Sequence, residues 1–513
     1  MNKSLEREIE KRKCRIARRN RVRQWTNQER PMFRPGNIRY ECSSRDRGIA
    51  CGGIGAMYLM AKNIGLLEAI DRKLHLLKVH LPYHESDHVM NVALNILAGG
   101  ECLQDLELLR HDEAFLDALG ASRIPDPTTA GDFCRRFDAR SIDILQDAIH
   151  EARLKVWSRQ EPEFFRQAVV EADGNMTPTN GQCKRGMDIA YNGIWGYHPL
   201  IVSLANTREP LFVVNRSGNR PSHDGAYVYL DKSIELCRKA GFKSILLRGD
   251  TDFSQTRHLD RWNAQPDVRF IFGMDAMKNL KARADDLPES AWTRLIRPEG
   301  HRAKTEPRER PRNVKEQIVR DRAFQNTRLV SEDVAECDYQ PTACRETYRL
   351  VMVRKNLSVE KGEAVLFDDL RYFFYLTNIR DQTAQDIVCS ANDRCDQENL
   401  IQQLKAGVHA TRNPVDTLES NGAYMVMASL AWTLKAWLGL LLPTASGRWA
   451  DRHREQKQQV IRMEFRRFLN TFIRLPCQIV MTGRRWVYRL LSWNQSLEVF
   501  LRAFDAITRP MRQ

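Results

Sequence analysis

The fold is decided by five short apolar runs, which read Ala168-Val169-Val170, Leu200-Ile201-Val202, Leu211-Phe212-Val213-Val214, Ile245-Leu246-Leu247 and Val268-Arg269-Phe270-Ile271-Phe272. Runs of this length, bounded by polar and turn-forming residues, are typical of buried β-strands. Between the third and fourth runs, residues 224–240 predict a helix, which Gly241 ends where a left-handed glycine is common. Another helix fits between the fourth and fifth runs. The segment therefore predicts the order strand, strand, strand, helix, strand, helix, strand.

This order matches a ribonuclease-H-like core, so we predict an α/β protein with such a catalytic core in residues 161–279 and 381–443. After Phe272 the pattern breaks into a stretch rich in proline and charge, which includes Arg308-Glu309-Arg310-Pro311-Arg312. Two strand-like runs follow, at residues 348–353 and 372–377. We therefore interpret residues 280–380 as an insertion that is part flexible and part β.

Helical regions are predicted on both sides of this core. Apolar residues recur at helical spacing from residue 54 to residue 152, which predicts an all-α domain over residues 51–160. We expect this domain to bind DNA. Within it, Pro125-Asp126-Pro127-Thr128-Thr129 stops one helix, and Asp126 or a threonine can cap the next. This pattern fits a helix-turn-helix, and a helical hairpin that only packs is the alternative. Residues 444–513 are predicted to form a basic helical region.

Residues 1–50 are predicted to form a basic N-terminal arm, and residues 11–23 within it to be mobile. Residues 11–23 contain no acid and eight basic side chains, namely Lys11, Arg12, Lys13, Arg15, Arg18, Arg19, Arg21 and Arg23. Such runs usually bind phosphates without reading sequence, although a solvated tail is the alternative. We expect nonspecific DNA contacts from Arg18, Arg19 and Arg21 in the arm, and from Arg135 and Arg136 in the helical domain.

Composition indicates a polyanionic partner inside the cell. The 513 residues include 80 Lys and Arg against 65 Asp and Glu, a net charge of +15 that favours nucleic acid. The 12 cysteines form no C-x-x-C pair, which argues against a zinc knuckle and a disulfide framework. The N-terminus has no apolar signal segment, so we expect a cytoplasmic protein. Residues 423–442 are apolar over the length of a bilayer span, but because Lys435 lies among them we expect a buried helix.

Two acids follow strands of the predicted core: Asp173 after the first run and Asp250 after the fourth. If these strands lie side by side, both carboxylates emerge at one edge of the sheet, where a helix can bring Glu398 to meet them. Three converging carboxylates repel unless cations neutralise them, and two Mg²⁺ ions about 4 Å apart would do so. We therefore expect these three residues to be metal ligands and catalytic residues. Each aspartate alone could instead cap a turn, and Asp252 and Glu171 compete as alternative or supporting carboxylates.

Glu398 belongs to a segment, residues 392–405, that we interpret as one helix. On a regular helix Arg394, Glu398 and Lys405 would face the same way, because offsets of four and seven residues lie close to whole turns. A carboxylate flanked by two cations suits a metal held against a phosphodiester backbone. Arg394 and Lys405 are thus the expected DNA-phosphate ligands, and ion pairs within the helix are the alternative.

These features resemble the DDE transposases of bacterial insertion sequences, specifically the DDE-domain group 1 family. The signature of that clan is Tyr, two residues, Arg, three residues, Glu, six residues and Lys, and Arg394, Glu398 and Lys405 keep its spacing. Similar phrases extend over most of the chain from about residue 50, and they include Leu97-Ala98-Gly99-Gly100, Trp195-Gly196-Tyr197-His198-Pro199-Leu200, Asn215-Arg216-Ser217-Gly218-Asn219, Arg248-Gly249-Asp250-Thr251-Asp252-Phe253 and Cys477-Gln478-Ile479-Val480 with Gly483-Arg484-Arg485. Ala391 occupies the Tyr position, so the phenol expected to hold a DNA phosphate is missing.

The resemblance implies cut-and-paste transposition. The enzyme would bind terminal inverted repeats in double-stranded DNA, nick each end by hydrolysis with Mg²⁺ or Mn²⁺, and use the freed 3′-hydroxyl for strand transfer through a hairpin on the transposon end. By resemblance, synapsis of two ends implies at least a dimer on DNA. The resemblance also implies a bacterial protein that is associated with the nucleoid in the cytoplasm. By resemblance the insertion lies over the scissile strand, where Trp292 could hold a displaced base, although a lone tryptophan more often packs.

Two other functions stay open at this point. Ala391 would suit a catalytically impaired, transposase-derived protein that only binds DNA, and the intact acids argue against that function. A ribonuclease-H-like nuclease without strand transfer is the other alternative. Inverted repeats flanking the gene, bounded by a duplicated target, would favour transposition over both.

Overall fold

The computed structural model, which describes residues 3–21, 46–179, 181, 183–190, 192–296, 325–361, 364–483 and 485–508, begins with a helical region. Its elements are α1 (Lys3–Arg19), β1 (Gly48–Ile49), α2 (Ile54–Asn63), α3 (Leu66–Lys73), α4 (Glu85–Ala98), α5 (Leu106–Arg110), α6 (Glu113–Leu119), α7 (Pro127–Cys134) and α8 (Ala139–Trp157). Asp126 caps α7, because its side chain accepts a hydrogen bond from the Thr129 amide at 2.8 Å. Arg135 and Arg136 follow α7 directly, and whether this region reads DNA stays a prediction.

A mixed sheet forms the centre of the molecule. Its region contains β2 (Ala168–Gly174), β3 (Thr177–Pro178), β4 (Asp188–Ile189), β5 (Trp195–Tyr197), β6 (Leu200–Leu204), β7 (Glu209–Val214), α9 (Ala226–Ala240), β8 (Ile245–Gly249), α10 (Thr256–Asn263), β9 (Val268–Met274), α11 (Lys278–Asp285), β10 (Thr293–Arg294), β11 (Gln325–Tyr339), β12 (Tyr348–Lys361) and β13 (Ala364–Thr377). Among the described residues, nine strands form one sheet in the order β10-β11-β12-β13-β9-β8-β2-β6-β7, and β3, β5 and β4 form a small separate sheet.

The five predicted runs are five neighbouring strands of this sheet. β6 pairs antiparallel with both β2 and β7, whereas β8 pairs parallel with both β2 and β9. The helix α9 ends at Gly241, whose φ of 99° is the left-handed conformation that favours glycine. The predicted order of strands and helices is confirmed, and so is the pairing of the first strand with the fourth.

The insertion extends the same sheet. β13 pairs antiparallel with β9, with Phe374 opposite Met274, so the long strands β11, β12 and β13 continue the core sheet. The predicted β content is therefore present, in strands longer than the two runs that predicted them. The charged stretch at residues 308–312 lies outside the described residues.

The C-terminal half contains α12 (Ala384–Asn392), α13 (Cys395–Gln402), a π-helical segment (Gln403–Gly407), α14 (Leu418–Leu440), α15 (Ala450–Arg462), α16 (Phe465–Phe468), a second π-helical segment (Leu469–Ile473), β14 (Cys477–Thr482), β15 (Arg485–Leu490) and α17 (Leu497–Thr508). α14 is buried along almost its whole length, as the sequence predicts, and Lys435 within it donates to the Ile461 carbonyl at 2.5 Å. In the described part of the chain, every helix is too short or too polar to cross a membrane.

One expectation about the termini is incomplete and one is wrong. Residues 444–513 contain the helices α15, α16 and α17, as predicted, and also an antiparallel hairpin of β14 and β15 that pairs with β1. Residues 3–19 form α1 instead of a mobile arm, since Ile9 is buried and Arg12 Nη1 donates to the Leu490 carbonyl at 2.6 Å. Arg23 and Arg484 lie outside the described residues.

Candidate active site

Two parallel strands bring Asp173 and Asp250 to the same edge of the sheet. In the β2–β8 pair, Glu171 is opposite Arg248. Asp173 lies one residue before the end of β2, and Asp250 directly follows β8. Because the two strands run in the same direction, the residues at their ends lie along one edge, which we call the acid edge.

The chain turns sharply at Asp250. Its side chain caps a short 3₁₀ turn, Thr251–Phe253, by accepting a hydrogen bond from the Asp252 amide at 3.1 Å. Gly249 allows this turn to pack on β9, because a Cβ atom there would lie 2.6 Å from the Phe253 Cβ and 3.0 Å from the Phe272 ring. Asp250 is therefore both a cap and a residue of the acid edge.

Arg394 is the cation nearest to these acids in the described contacts. Its Nη2 donates to Asp250 Oδ2 at 3.3 Å, and only 14% of its side chain is exposed. Its Nη1 is buried and has no hydrogen-bond partner in the described structure. Arg394 precedes α13 as its N-cap residue, so the start of α13 is held against the acid edge.

Burial raises the pKa of both acids. The pKa of Asp173 rises to about 6, mainly because of desolvation; the charge of Arg394 lowers it, whereas those of Asp250 and Glu398 raise it. Desolvation also raises the pKa of Asp250, against the lowering effect of Arg394. One guanidinium therefore does not offset the charge that this edge carries when both carboxylates ionise.

Glu398 lies in the first turn of α13 and is exposed. The neighbouring Gln397 anchors this helix to β6, because its buried amide donates to the Ile201 carbonyl at 3.1 Å and accepts a hydrogen bond from the Ser203 hydroxyl. On the other side, Asp396 pairs with Arg208 at 2.6 Å. These contacts hold α13 against the sheet with Glu398 directed away from the core.

Glu398 shares a cavity of about 390 Å³ with Asp250, Arg394 and Ala391. The opposite wall belongs to the insertion and includes Tyr372, Phe373, Phe374 and Tyr375 of β13. Sequence reasoning missed this wall, although the aromatic run from Tyr372 to Tyr375 was visible within a strand-like segment. Ala391, at the position where the resemblance places a tyrosine, is among the residues that line this cavity.

The donor set of the acid edge suits a hard cation, because Asp173 and Asp250 supply carboxylate oxygens whose charges repel. Within the described ranges, no three His, Cys, Asp or Glu side chains lie close enough together to hold a metal ion. Asp250 and Glu398 both act on Asp173 through their charges, which raise its pKa. Asp173 and Asp250 offer the kind of ligand that a divalent cation takes, and Glu398 would have to come closer to complete a set of three.

The prediction of one regular helix through residues 392–405 is wrong. Arg394 precedes α13, Glu398 lies within it, and Lys405 lies in the π-helical segment, where hydrogen bonds run from residue i to i+5. A tertiary contact accompanies this change of period, because the Phe465 amide donates to Gln403 Oε1 at 2.9 Å. Lys405 is exposed, and its part in phosphate binding stays a prediction.

The two competing carboxylates have other surroundings. Glu171 is 1% exposed and accepts a hydrogen bond from Arg248 Nη2 at 2.6 Å. Asp252 lines a second cavity, of about 580 Å³, together with His223 and His258. Glu171 is therefore a partner of Arg248, a residue that sequence reasoning missed.

The remaining predicted residues lie away from the acid edge. Trp292 is 9% exposed, and the Arg354 Cζ atom lies 4.5 Å from the centre of its ring. The tryptophan therefore packs, which was the alternative to holding a displaced base. Arg18 and Arg19 form the exposed last turn of α1, and Arg21 follows it. Arg135 pairs with Asp132 and Asp416, each at 2.8 Å, whereas Arg136 is exposed.

Comparison with known proteins gives one family. The family model described as transposase DDE domain group 1 matches residues 50–510. No curated protein sequence matches the chain. Among solved structures, the chain is similar to a piggyBac transposase in a cryo-EM synaptic complex with hairpin DNA, with 10% sequence identity, 82% of each chain covered and a TM-score of 0.34.

Proposed function

Because the chain belongs to the family of transposases with a group 1 DDE domain, we propose that it binds the terminal inverted repeats of its own insertion sequence and catalyses strand cleavage and strand transfer. The observation that carries this proposal is the acid edge, where the parallel strands β2 and β8 place Asp173 and Asp250 along one side of the sheet, with Arg394 and Glu398 beside Asp250. We infer a ribonuclease-H-like core for residues 161–279 and 381–443. The strand order β7-β6-β2-β8-β9 and the directions of those strands support it.

Asp173, Asp250 and Glu398 are the residues that would hold Mg²⁺ or Mn²⁺. When bound, two such ions would supply Lewis acidity toward the scissile phosphate and its attacking and leaving oxygens. The chain contributes two desolvated aspartates whose raised pKa values disfavour ionisation without a cation. Once a cation offsets their charge, Arg394 is left with less to neutralise and can pair with a DNA phosphate.

The DNA partner follows from the family and the charge of +15. We propose that two protein copies hold two transposon ends and that cleavage proceeds through a hairpin on the transposon end. Lys405, Arg18, Arg19, Arg21 and Arg136 are proposed to contact phosphates, and all five are exposed. Arg135 is the weakest member of this set, because two carboxylates already engage it.

Ala391 favours one alternative function, that of an impaired relative that binds ends without cutting them. The cavity beside Ala391 supports this alternative, because the side chain that the family signature places there is missing. The retained acids and Arg394 favour an active enzyme.

The test is an end-cleavage assay with purified protein, Mg²⁺ and labelled duplex DNA that carries the element's own end. We expect end-specific nicks, hairpins and joined products from the wild type, and a loss of about 10³-fold or more in Glu398→Gln with end binding retained. Asp393→Asn is the matched control, since Asp393 is an exposed carboxylate five residues from Glu398, and it should cut like the wild type. Specific binding without Mg²⁺-dependent products would favour the impaired relative.

A further inference from the structure

Arg248 makes a buried contact with two elements at once. Its Nη2 donates to Glu171 Oε1 on β2 at 2.6 Å, and its Nη1 donates to the Ser390 carbonyl of α12 at 2.5 Å. The Arg248 and Glu171 side chains are 7% and 1% exposed. The guanidinium therefore joins β8, β2 and the C-terminal turn of α12.

These elements all lead into the acid edge. Arg248 precedes Asp250 by two residues, and Glu171 precedes Asp173 by the same interval. Side chains two residues apart on a strand face the same way, so the ion pair lies directly behind the position of Asp173 along β2. Ser390 lies four residues before Arg394, and its carbonyl is one of those at the end of α12 that lack a helical partner.

An ion pair is a costly way to hold strands together. Taking both charges out of water offsets much of their attraction, and apolar residues of similar size would pack as well or better. Arg248 Nε, moreover, is buried without a partner in the described structure. What the pair supplies is orientation, since a planar guanidinium fixes both the carboxylate and the carbonyl that it contacts.

We propose that Arg248 is a positioning residue, which uses Glu171 and the end of α12 to set Asp173, Asp250 and the start of α13 at the spacing that a divalent cation requires. This inference rests on the proposed function. It assigns Glu171 a supporting role behind the aspartates, because Arg248 Nη2 binds one of its carboxylate oxygens. Contacts of this kind behind a metal ligand typically change metal affinity by about 10–100-fold.

The test measures Mn²⁺ binding by the full-length protein from the rise in melting temperature, alongside end cleavage at saturating Mn²⁺. Arg248→Met should raise the half-saturating Mn²⁺ concentration about tenfold or more. Arg248→Lys keeps the charge but cannot reach both partners in one plane, so it should show an intermediate increase. Glu171→Gln keeps a hydrogen-bond acceptor and should change Mn²⁺ binding less than about threefold.

Arg153→Met is the matched control. Arg153 forms the other fully buried arginine–glutamate pair of the described structure, with Glu209 at 3.0 Å and far along the sheet from β8. This variant should lower the melting temperature but leave the half-saturating Mn²⁺ concentration within about twofold of the wild type.

Wild-type Mn²⁺ binding in Arg248→Met and Arg248→Lys would overturn the positioning role. Loss of Mn²⁺ binding in Glu171→Gln would overturn it as well, because Glu171 would then be a ligand. A wild-type protein that binds Mn²⁺ but cuts no DNA end would contradict the proposed function while leaving the comparison of Mn²⁺ binding intact.

Discussion

Glu209 and Asp173 are carboxylates on strands of one sheet, Glu209 buried and Asp173 half-buried, and their surroundings differ. Glu209 accepts hydrogen bonds from Arg153 Nε at 3.0 Å, Trp157 Nε1 at 3.0 Å and Trp437 Nε1 at 2.7 Å. It joins β7 to α8 and α14 and is completely buried. Both carboxylate oxygens of Glu209 therefore accept hydrogen bonds, which is what a buried structural network requires.

The carboxylates of the acid edge have fewer hydrogen-bond partners than Glu209. In the described structure, Asp173 receives no hydrogen bond from another side chain, and its pKa is raised to about 6. The charge of Arg394 lowers the pKa of both Asp173 and Asp250, so one guanidinium serves two carboxylates. The difference indicates that the Glu209 network stabilises the fold, whereas desolvation at the acid edge outweighs the effect of Arg394 on the pKa of both aspartates.

Removing Glu209 is the largest disruption we predict. Glu209→Ala should destabilise the protein by about 3–5 kcal/mol, because Arg153 is left buried without its counter-ion and two indole N–H groups lose their acceptor. Denaturant unfolding measures this loss, which should be the same with and without Mn²⁺. A loss below about 1 kcal/mol would show that the network is not structural.

Asp173→Asn should stabilise the protein at neutral pH, whereas Glu209→Ala destabilises it. The pKa of Asp173 is raised from its ordinary 3.8 to about 6 in the folded protein, so its contribution to stability is present below about pH 4 and is lost as pH rises through 6. At pH 7.5 with EDTA, the variant should be more stable than the wild type by about 2–3 kcal/mol.

The pH dependence supplies the control for Asp173→Asn. Near pH 3 the wild type and the variant should melt together, because Asp173 is then mostly protonated in both the folded and unfolded states. Mn²⁺ should stabilise the wild type at pH 7.5 and leave the variant nearly unchanged. A variant less stable than the wild type at pH 7.5 in EDTA would mean that the acid edge is not short of positive charge.

Arg394→Met should lower stability at pH 7.5 by about 1 kcal/mol, since it removes the cation beside Asp250. The loss should vanish near pH 3, because a pKa raised above 3.8 leaves both aspartates protonated there, and Mn²⁺ should reverse it. In DNA titrations the salt dependence should fall by about one phosphate contact. Equal destabilisation at both pH values would indicate lost packing instead of lost charge.

Ala391→Tyr is the smallest structural change we predict. The cavity of about 390 Å³ beside Ala391 can take the ring, so the melting temperature should shift by no more than about 1–2 °C. End cleavage should rise several-fold if the missing phenol limits activity, and Ala391→Phe serves as the control without the hydroxyl. A large loss of stability would show that the aromatic wall of β13 leaves no room.

The sequence was informative where burial and period agree. The five apolar runs, the helix that Gly241 ends and the buried α14 are present because each buries one continuous apolar surface. The hairpin of β14 and β15 escaped prediction because Arg485, Trp486 and Arg489 are exposed on it, so its strands carry the composition of a basic surface.

For the candidate site, sequence pattern located the acids but not what surrounds them. The common interval of two residues between Glu171 and Asp173 and between Arg248 and Asp250 could have revealed the ion pair once β2 and β8 were assumed parallel. The π-helical segment depends on a contact with α16, which lies more than fifty residues further along the chain. The aromatic wall depends on β13, which a long segment of chain separates from Asp250. No local pattern predicts such contacts.

The most direct test of the acid edge as a metal site is iron-mediated cleavage of the protein itself. Fe²⁺ bound in place of Mg²⁺, with ascorbate and peroxide, produces radicals that cut the polypeptide near the metal, and mass spectrometry locates the cuts. We predict cuts beside residues 173 and 250 and in α13 near Glu398, suppressed by excess Mg²⁺ and absent in Asp250→Asn. Cuts elsewhere in the chain, or cuts that persist in Asp250→Asn, would contradict the assignment of this edge as the catalytic centre.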